Sequence, residues 1–227
     1  GPLRAVYCTN FEADPFAAGW TRTADDSDWV WGSPQGTAEN ADPTAAASSQ
    51  NVVGTDLGLD GRDGRYQAEV DNGVVSPVID VRGYEGIRLQ YQRWLTVEDG
   101  YYDTASIAVD GTTLWRNRRS AIGAEATVAH LDREWRFHDL DLSEQAADGS
   151  IQVAFRLESD GGEQFGGWNI DDFCIMARDP DPDDGDDEED DGGCCSSGRD
   201  TGSSAVPLGL GLLTAAALLR RRRPARR

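Results

Sequence analysis

The chain has 227 residues and a formal charge of −20, and all 21 of its basic residues are arginine. Residues 1–178 alone carry 14 basic against 30 acidic side chains, a balance of −16. A surface that acidic repels phosphate backbones and excludes nucleic acid as a natural partner, while it suits cations and keeps an exported protein in solution. The length allows one domain with a sizeable core plus tails. The chain opens on Gly1-Pro2 with no Met and no signal peptide, so we expect a fragment or a product cut from a longer precursor. The missing N-terminal part is then a candidate for the main activity, such as a peptidase or other hydrolase.

In chain order, residues 5–12 (Ala-Val-Tyr-Cys-Thr-Asn-Phe-Glu) alternate and are rich in β formers, which predicts a first strand. A polar stretch with isolated Trp20, Trp29 and Trp31 follows, and these three are expected to be the exposed tryptophans. Residues 33–50 are small and polar and predict a long surface loop. Residues 74–81 predict a strand interrupted by Pro77, hence an edge or a bulge. Ile87, Leu89 and Tyr91 alternate, with Trp94 in a shifted phase, and residues 105–115 predict a hairpin turning at Asp110-Gly111. Trp135, Phe137 and residues 140–143 predict another strand. Ile151, Val153, Phe155 and Leu157 make the cleanest period-two run, and residues 166–175 (Gly-Gly-Trp-Asn-Ile-Asp-Asp-Phe-Cys-Ile) predict the closing strand. Many short strands, 26 Gly and no 3.6-residue apolar period argue for an all-β, jelly-roll β-sandwich over residues 1–178.

The composition then changes. Ten acids between Asp179 and Asp191 cannot pack, so residues 179–193 read as a disordered acidic linker. Residues 194–227 hold Cys194 and Cys195, an apolar run at 205–219 that reads as a short hydrophobic helix, and a cluster at 220–227 opening with Arg220, Arg221, Arg222 and Arg223. Fifteen helical residues span about 22 Å against about 30 Å of hydrocarbon, enough for a transient span with the arginines on the cytoplasmic side. This order of Cys, apolar helix and Arg cluster resembles the MYXO-CTERM sorting signal of myxobacterial surface proteins. The resemblance implies processing at Cys194 or Cys195, with a sorting protease and the membrane as partners. It implies export to the cell surface or outer membrane, or secretion once the tail is processed.

Residues 8–175 carry a second resemblance. Phe11-Glu12, Asp28-Trp29-Val30-Trp31-Gly32, Gly54-Thr55-Asp56-Leu57, residues 76–80, residues 98–103 and Gly167-Trp168-Asn169-Ile170-Asp171-Asp172 occur in an order similar to MAM-like jelly-roll modules. Such modules are attached to secreted bacterial proteases and surface proteins. The ending is also similar to carbohydrate-binding jelly rolls in which an early Phe-Glu and a late Asp share a structural Ca²⁺. The resemblance implies a non-catalytic adhesion, recognition or accessory module whose ligand is a surface polysaccharide or protein; the first alternative is a carbohydrate-binding module of a secreted hydrolase.

The residues lead to a compatible expectation. If the first and last strands pair antiparallel with Cys8 opposite Cys174, the two can form a disulfide, as expected of an exported chain. Glu12 then falls opposite Ile170, near Asp171 and Asp172, and converging carboxylates need a counter-charge such as Ca²⁺. Asp56 and Asp103 are further candidate ligands, set in turn-rich polar contexts; the alternative for Asp171 and Asp172 is backbone capping at a bend. A second alternative is a glycosidase-like hydrolase on Glu98, Asp99 and Asp103, although two working carboxylates must face one cleft. His130 and His138 read as surface or strand-edge residues, with no third zinc-type ligand nearby.

Overall fold

The structure, a computed structural model, describes residues 1–24, 27–37, 42–122 and 128–180. The acidic linker beyond residue 180, Cys194, Cys195, the apolar run and the arginine cluster lie outside the described residues. Alternation produces strands almost everywhere it was expected, and they assemble as two antiparallel sheets packed face to face.

The larger sheet is built on two long strands, β7 (Glu85–Val97) and β14 (Gly167–Arg178), which pair along most of their length. The outer edge of β7 is covered by β10 (His130–Leu131) and β11 (Arg136–Asp141). The outer edge of β14 is shared by β1 (Arg4–Thr9) and β4 (Val52–Thr55), with β3 (Trp29–Gly32) beyond β4. The five-stranded sheet runs in the order β2 (Thr21–Arg22), β5 (Asp71–Val75), β13 (Val153–Glu158), β8 (Thr104–Val109) and β9 (Thr112–Arg116). A short pair, β6 (Ile79–Asp80) with β12 (Ser150–Ile151), completes the sandwich.

Three local expectations are refined. Pro77 splits residues 74–81 into β5 and β6, yet β5 is paired on both sides, by β2 and β13. Trp94 breaks no phase: β7 is continuous, and Trp94 faces outward while its neighbours Tyr91 and Leu95 face the core. The Asp110-Gly111 turn has positive φ at both residues (47° and 80°), the backbone that a two-residue hairpin needs to match strand twist.

Aromatic side chains run through the interior from sheet to sheet. Trp115, Trp168, Phe155, Phe173, Trp20 and Phe11 form an unbroken edge-to-face series with centroids 5.0–6.3 Å apart. Each such pair contributes about 1 kcal/mol beyond its buried area. Trp20 and Trp29, expected at the surface, are therefore core residues, 2% and 0% exposed, and Trp31 is half-buried with its indole N–H on the Phe11 carbonyl. The indole of Trp29 likewise finds a buried acceptor, Asn72 Oδ1, at 2.9 Å. Those hydrogen bonds are what let a tryptophan from a polar stretch enter the core.

Candidate functional site

The closing strand changes phase in the middle. Trp168 and Ile170 face the core, as do Phe173, Ile175 and Ala177, so even positions give way to odd ones. The switch is a β-bulge between Asp171 and Cys174, and Asp172 takes φ +48° there. An extra residue unpaired in a ladder kinks the strand and re-aims its side chains. Ile-Asp-Asp-Phe is thus the sequence of a bulge flanked by core residues.

Above the bulge β1 pairs with β14, and Cys8 is disulfide-bonded to the residue opposite it, Cys174. Below the bulge, β4 takes over the same edge, with Val53 opposite Ile170. Glu12 therefore never reaches Ile170 through the ladder, contrary to the simple register. The chain leaves β1 after Thr9 and bends at Phe11, φ +54°.

Glu12, Asp171 and Asp172 nonetheless converge on one short segment, residues 48–51. Asp171 Oδ2 accepts from the Ser48 N–H at 2.9 Å, and Asp172 Oδ1 from the Ser48 hydroxyl at 2.7 Å. Glu12 Oε1 accepts from the Gln50 and Asn51 N–H groups at 2.9 and 2.8 Å, which hold its pKa below the ordinary range. Asp171 is fully buried, and burial pushes it up to about 6 against the pull of the Ser48, Asp172 and Ala47 N–H groups. The neighbouring charge acting on it is Asp172, another carboxylate. A buried acid so placed is neutralised by a proton or by a cation.

The other two expected ligands are elsewhere. The β4–β14 register puts Asp171 beside Val52 and Asp56 beyond Thr55, four strand positions away or about 13 Å. There Asp56 closes a turn, accepting from the Gly58 N–H at 3.1 Å. Asp103, also buried, accepts from the Tyr66 hydroxyl at 2.5 Å and the Asp160 N–H at 2.8 Å. Its carboxylate lies within 4.8 Å of those of Glu98 and Asp160. Glu98 is pushed up to about 7, first by burial and then by Asp103 and Asp160. The five-residue set thus divides into Glu12, Asp171 and Asp172 at the bulge, Asp103 with Glu98 and Asp160, and Asp56 alone.

Of the acidic cluster considered for hydrolysis, Glu98 and Asp103 stay together and only Asp99 leaves it. Burial works to raise Asp99, but donors from the Ser120 side chain and N–H, Val128 and Tyr101 outweigh it and hold the group below the ordinary range. Asp99 ties down the segment after β9, while Asp103 turns to Tyr66. The two histidines lie half-buried on the edge strands β10 and β11, as expected of strand-edge residues. His138 stacks on Tyr91 at 5.2 Å and is lowered to about 4, by burial and then Arg93; His130 meets Asp132 and Arg93 at 3.2 and 3.1 Å.

Sequence reasoning missed the aromatics of the outer face, half-buried Trp94 and Trp135 and exposed Phe137. On the outer face of the larger sheet, Phe137 stands opposite Gln92, which is in turn opposite Asp171. Trp135, just before β11, packs edge-on against Trp94 at 6.0 Å and donates its indole N–H to the Ala45 carbonyl at 2.9 Å. Phe137 and Leu131 are 60% and 42% exposed, against almost none for Trp20 and Trp29. Trp94, Trp135 and Phe137, with Gln90 and Gln92 between β11 and β14, make an aromatic and amide strip. One border of it is the segment that Glu12, Asp171 and Asp172 hold. The one sequence signal was Trp94, whose even position among odd core residues marks it as outward.

No family model matches the chain. It is 29% identical over 177 residues to bacillopeptidase F of Bacillus subtilis (strain 168), a match that covers 78% of this chain and 11% of that protein. The chain therefore spans about a ninth of the length of the curated relative it matches. Among solved structures it is similar to the K1 cleaved adhesin domain of Lys-gingipain from Porphyromonas gingivalis W83, at 20% identity and TM-score 0.48, over 77% of this chain and 98% of that one. It is also similar to the CBM22-1 xylan-binding domain of Xyn10C from Paenibacillus barcinonensis, at 16% identity and TM-score 0.38, over 78% and 97%. A third likeness is to TmCBM61 in complex with beta-1,4-galactotriose, at 13% identity and TM-score 0.41, over 74% and 97%. No helix among the described residues is long and apolar enough to cross a membrane.

Proposed function

We propose that this chain is a non-catalytic recognition module of a larger exported protein, and that it binds a surface polysaccharide across the outer face of its larger sheet. The observation that carries the reading is the strip of Trp94, Trp135 and Phe137 with Gln90 and Gln92. Flat rings cover the apolar faces of sugar rings, and side-chain amides bond their hydroxyls in both directions. A neutral polymer meets no repulsion from the acidic surface. The disulfide agrees with folding in an oxidising compartment, and the partial match to a much longer peptidase agrees with an accessory role. The MAM-like resemblance of residues 8–175 and the MYXO-CTERM resemblance of the tail support the same reading, with the module sorted to the surface and cut at Cys194 or Cys195.

Calcium belongs to this reading as a structural ion. The fit rests on the buried Asp171, which has another carboxylate, Asp172, as a charged neighbour, and on an all-oxygen donor set. Asp171 and Asp172 would hold the ion, which supplies the positive charge that the site lacks, and Glu12 would have to swing in to join them, since among the described residues the three carboxylates within 4.8 Å of one another are Glu98, Asp103 and Asp160. Residues 48–51, and through Ala45 the Trp135 ring, would then be fixed before ligand arrives.

The test is binding of the full chain to xylan and to β-1,4-galactan, followed by tryptophan fluorescence and by co-sedimentation. Saturable binding is expected to at least one polymer. Trp135→Ala with Phe137→Ala is expected to weaken it at least tenfold, and Phe137→Ala alone is expected to weaken it while shifting the melting temperature little, because Phe137 is largely exposed. Binding that is indifferent to both substitutions would remove the strip from the reading.

A further inference from the structure

The opposite outer face, on the five-stranded sheet, has different chemistry. Strand register sets Arg116 of β9, Ser106 of β8, Arg156 of β13 and Gly73 of β5 in one row. Ser106 is the only strand position between the two arginines, so their backbones are about 10 Å apart. The next row is Thr113, Ala108, Ala154 and Val75. Small side chains thus form the floor of a shallow cleft of about 250 Å³, with Arg116, Arg156 and Arg119 around it.

The local charge is the reverse of the module's. Three guanidinium groups line this cleft against one carboxylate, Glu158. Arg156 gives one nitrogen to Asp71 at 2.6 Å, and its stem crosses Gly73, where any side chain would crowd it. Its Nε is shielded from solvent and has no partner among the described residues. No carboxylate among the described residues is within ion-pair distance of Arg116 or Arg119, and Arg119 lies over the Tyr101 ring at 5.4 Å.

We infer that this cleft binds a carboxylate, and that its ligand is a uronic acid group carried at intervals on an otherwise neutral polysaccharide. Guanidinium forks match a planar carboxylate with two parallel N–H bonds, and Ser106 adds a hydroxyl beneath. The surrounding −16 charge on residues 1–178 selects against a dense polyanion, so a sparsely charged chain is the class that satisfies both fields. The inference rests on the reading of the chain as a polysaccharide-recognition module, but it uses the other face.

The test compares glucuronic-acid-substituted xylan with the same polymer after carboxyl reduction, by calorimetry on the full chain. The native polymer is expected to bind at least tenfold more tightly, with a preference that fades as salt rises. Arg116→Gln with Arg119→Gln should abolish the preference and leave the affinity for the reduced polymer unchanged. Equal affinity for the two polymers, or a preference that survives the double substitution, overturns the cleft while the recognition reading stands. Binding to neither polymer overturns the cleft, and the recognition reading with it if β-1,4-galactan is also not bound.

Discussion

Asp99 and Asp171 are both fully buried carboxylates, yet their pKa values move in opposite directions. Asp99 receives hydrogen bonds from three backbone N–H groups and a hydroxyl. Asp171 receives fewer, and its neighbour Asp172 is a like charge. Burial alone therefore says nothing about whether an acid stays ionised. The donors that its surroundings aim at it decide. The Asp99 segment is complete by itself, whereas the bulge in the closing strand is complete only with a proton or a cation.

The largest expected effect tests what the closing strand gains from its covalent tie. Replacing Cys8 and Cys174 together by Ser opens a bond that spans 166 residues of sequence. The loss should be about 2–5 kcal/mol in chemical denaturation. An unchanged midpoint would mean that the β1–β14 ladder suffices. Asp99→Ala should cost about 3 kcal/mol, because the Ser120 and Val128 N–H groups lose their buried acceptor. Asp171→Asn should cost less in chelator below about pH 6, where the folded group is already protonated.

Calcium separates the two acids next. The melting temperature of the full chain should rise with free Ca²⁺, by the equivalent of about 2.7 kcal/mol at a hundred times the dissociation constant. Asp171→Asn should lose that response and Asp99→Asn should keep it. A melting temperature that ignores Ca²⁺ would reduce Glu12, Asp171 and Asp172 to clamps on residues 48–51.

The smallest effect is in the pH profile. Asp171, raised to about 6, and Glu98, raised to about 7, bind protons more tightly folded than unfolded. Their stabilising contribution is fully present below the unfolded carboxylate pKa and is lost as pH rises through about 6 and 7. Asp99 has the opposite sign: its contribution is present above the unfolded pKa and is lost as pH falls through its lower folded value. In chelator, Asp171→Asn should flatten the fall in melting temperature between pH 4 and 6. A slope equal to that of the unsubstituted chain would contradict the buried, raised acid.

Legibility follows the range of the physics involved. Strand alternation, the Asp110-Gly111 turn and the break at Pro77 are local, because they depend on a period of two and on backbone angles that few residues adopt. The partnership of Cys8 and Cys174 was readable because a chain with one cysteine in its first strand and one in its last has few ways to pair them. The bulge was not readable as such: Ile-Asp-Asp-Phe only becomes one when β1 and β4 compete for the same edge of β14.

The sequence by itself thus determined the all-β sandwich, its opening and closing strands, and the acidic character of the chain. Tertiary structure alone decided which charges and rings meet. Asp103 finds Asp160 57 residues away, and Asp171 finds Ser48 across 123. Trp20 and Trp29, in polar surroundings along the chain, became core, while Trp135 and Phe137 stayed outside. Burial is set by what the opposing sheet and the covering loop place over a side chain, and local sequence carries no record of either.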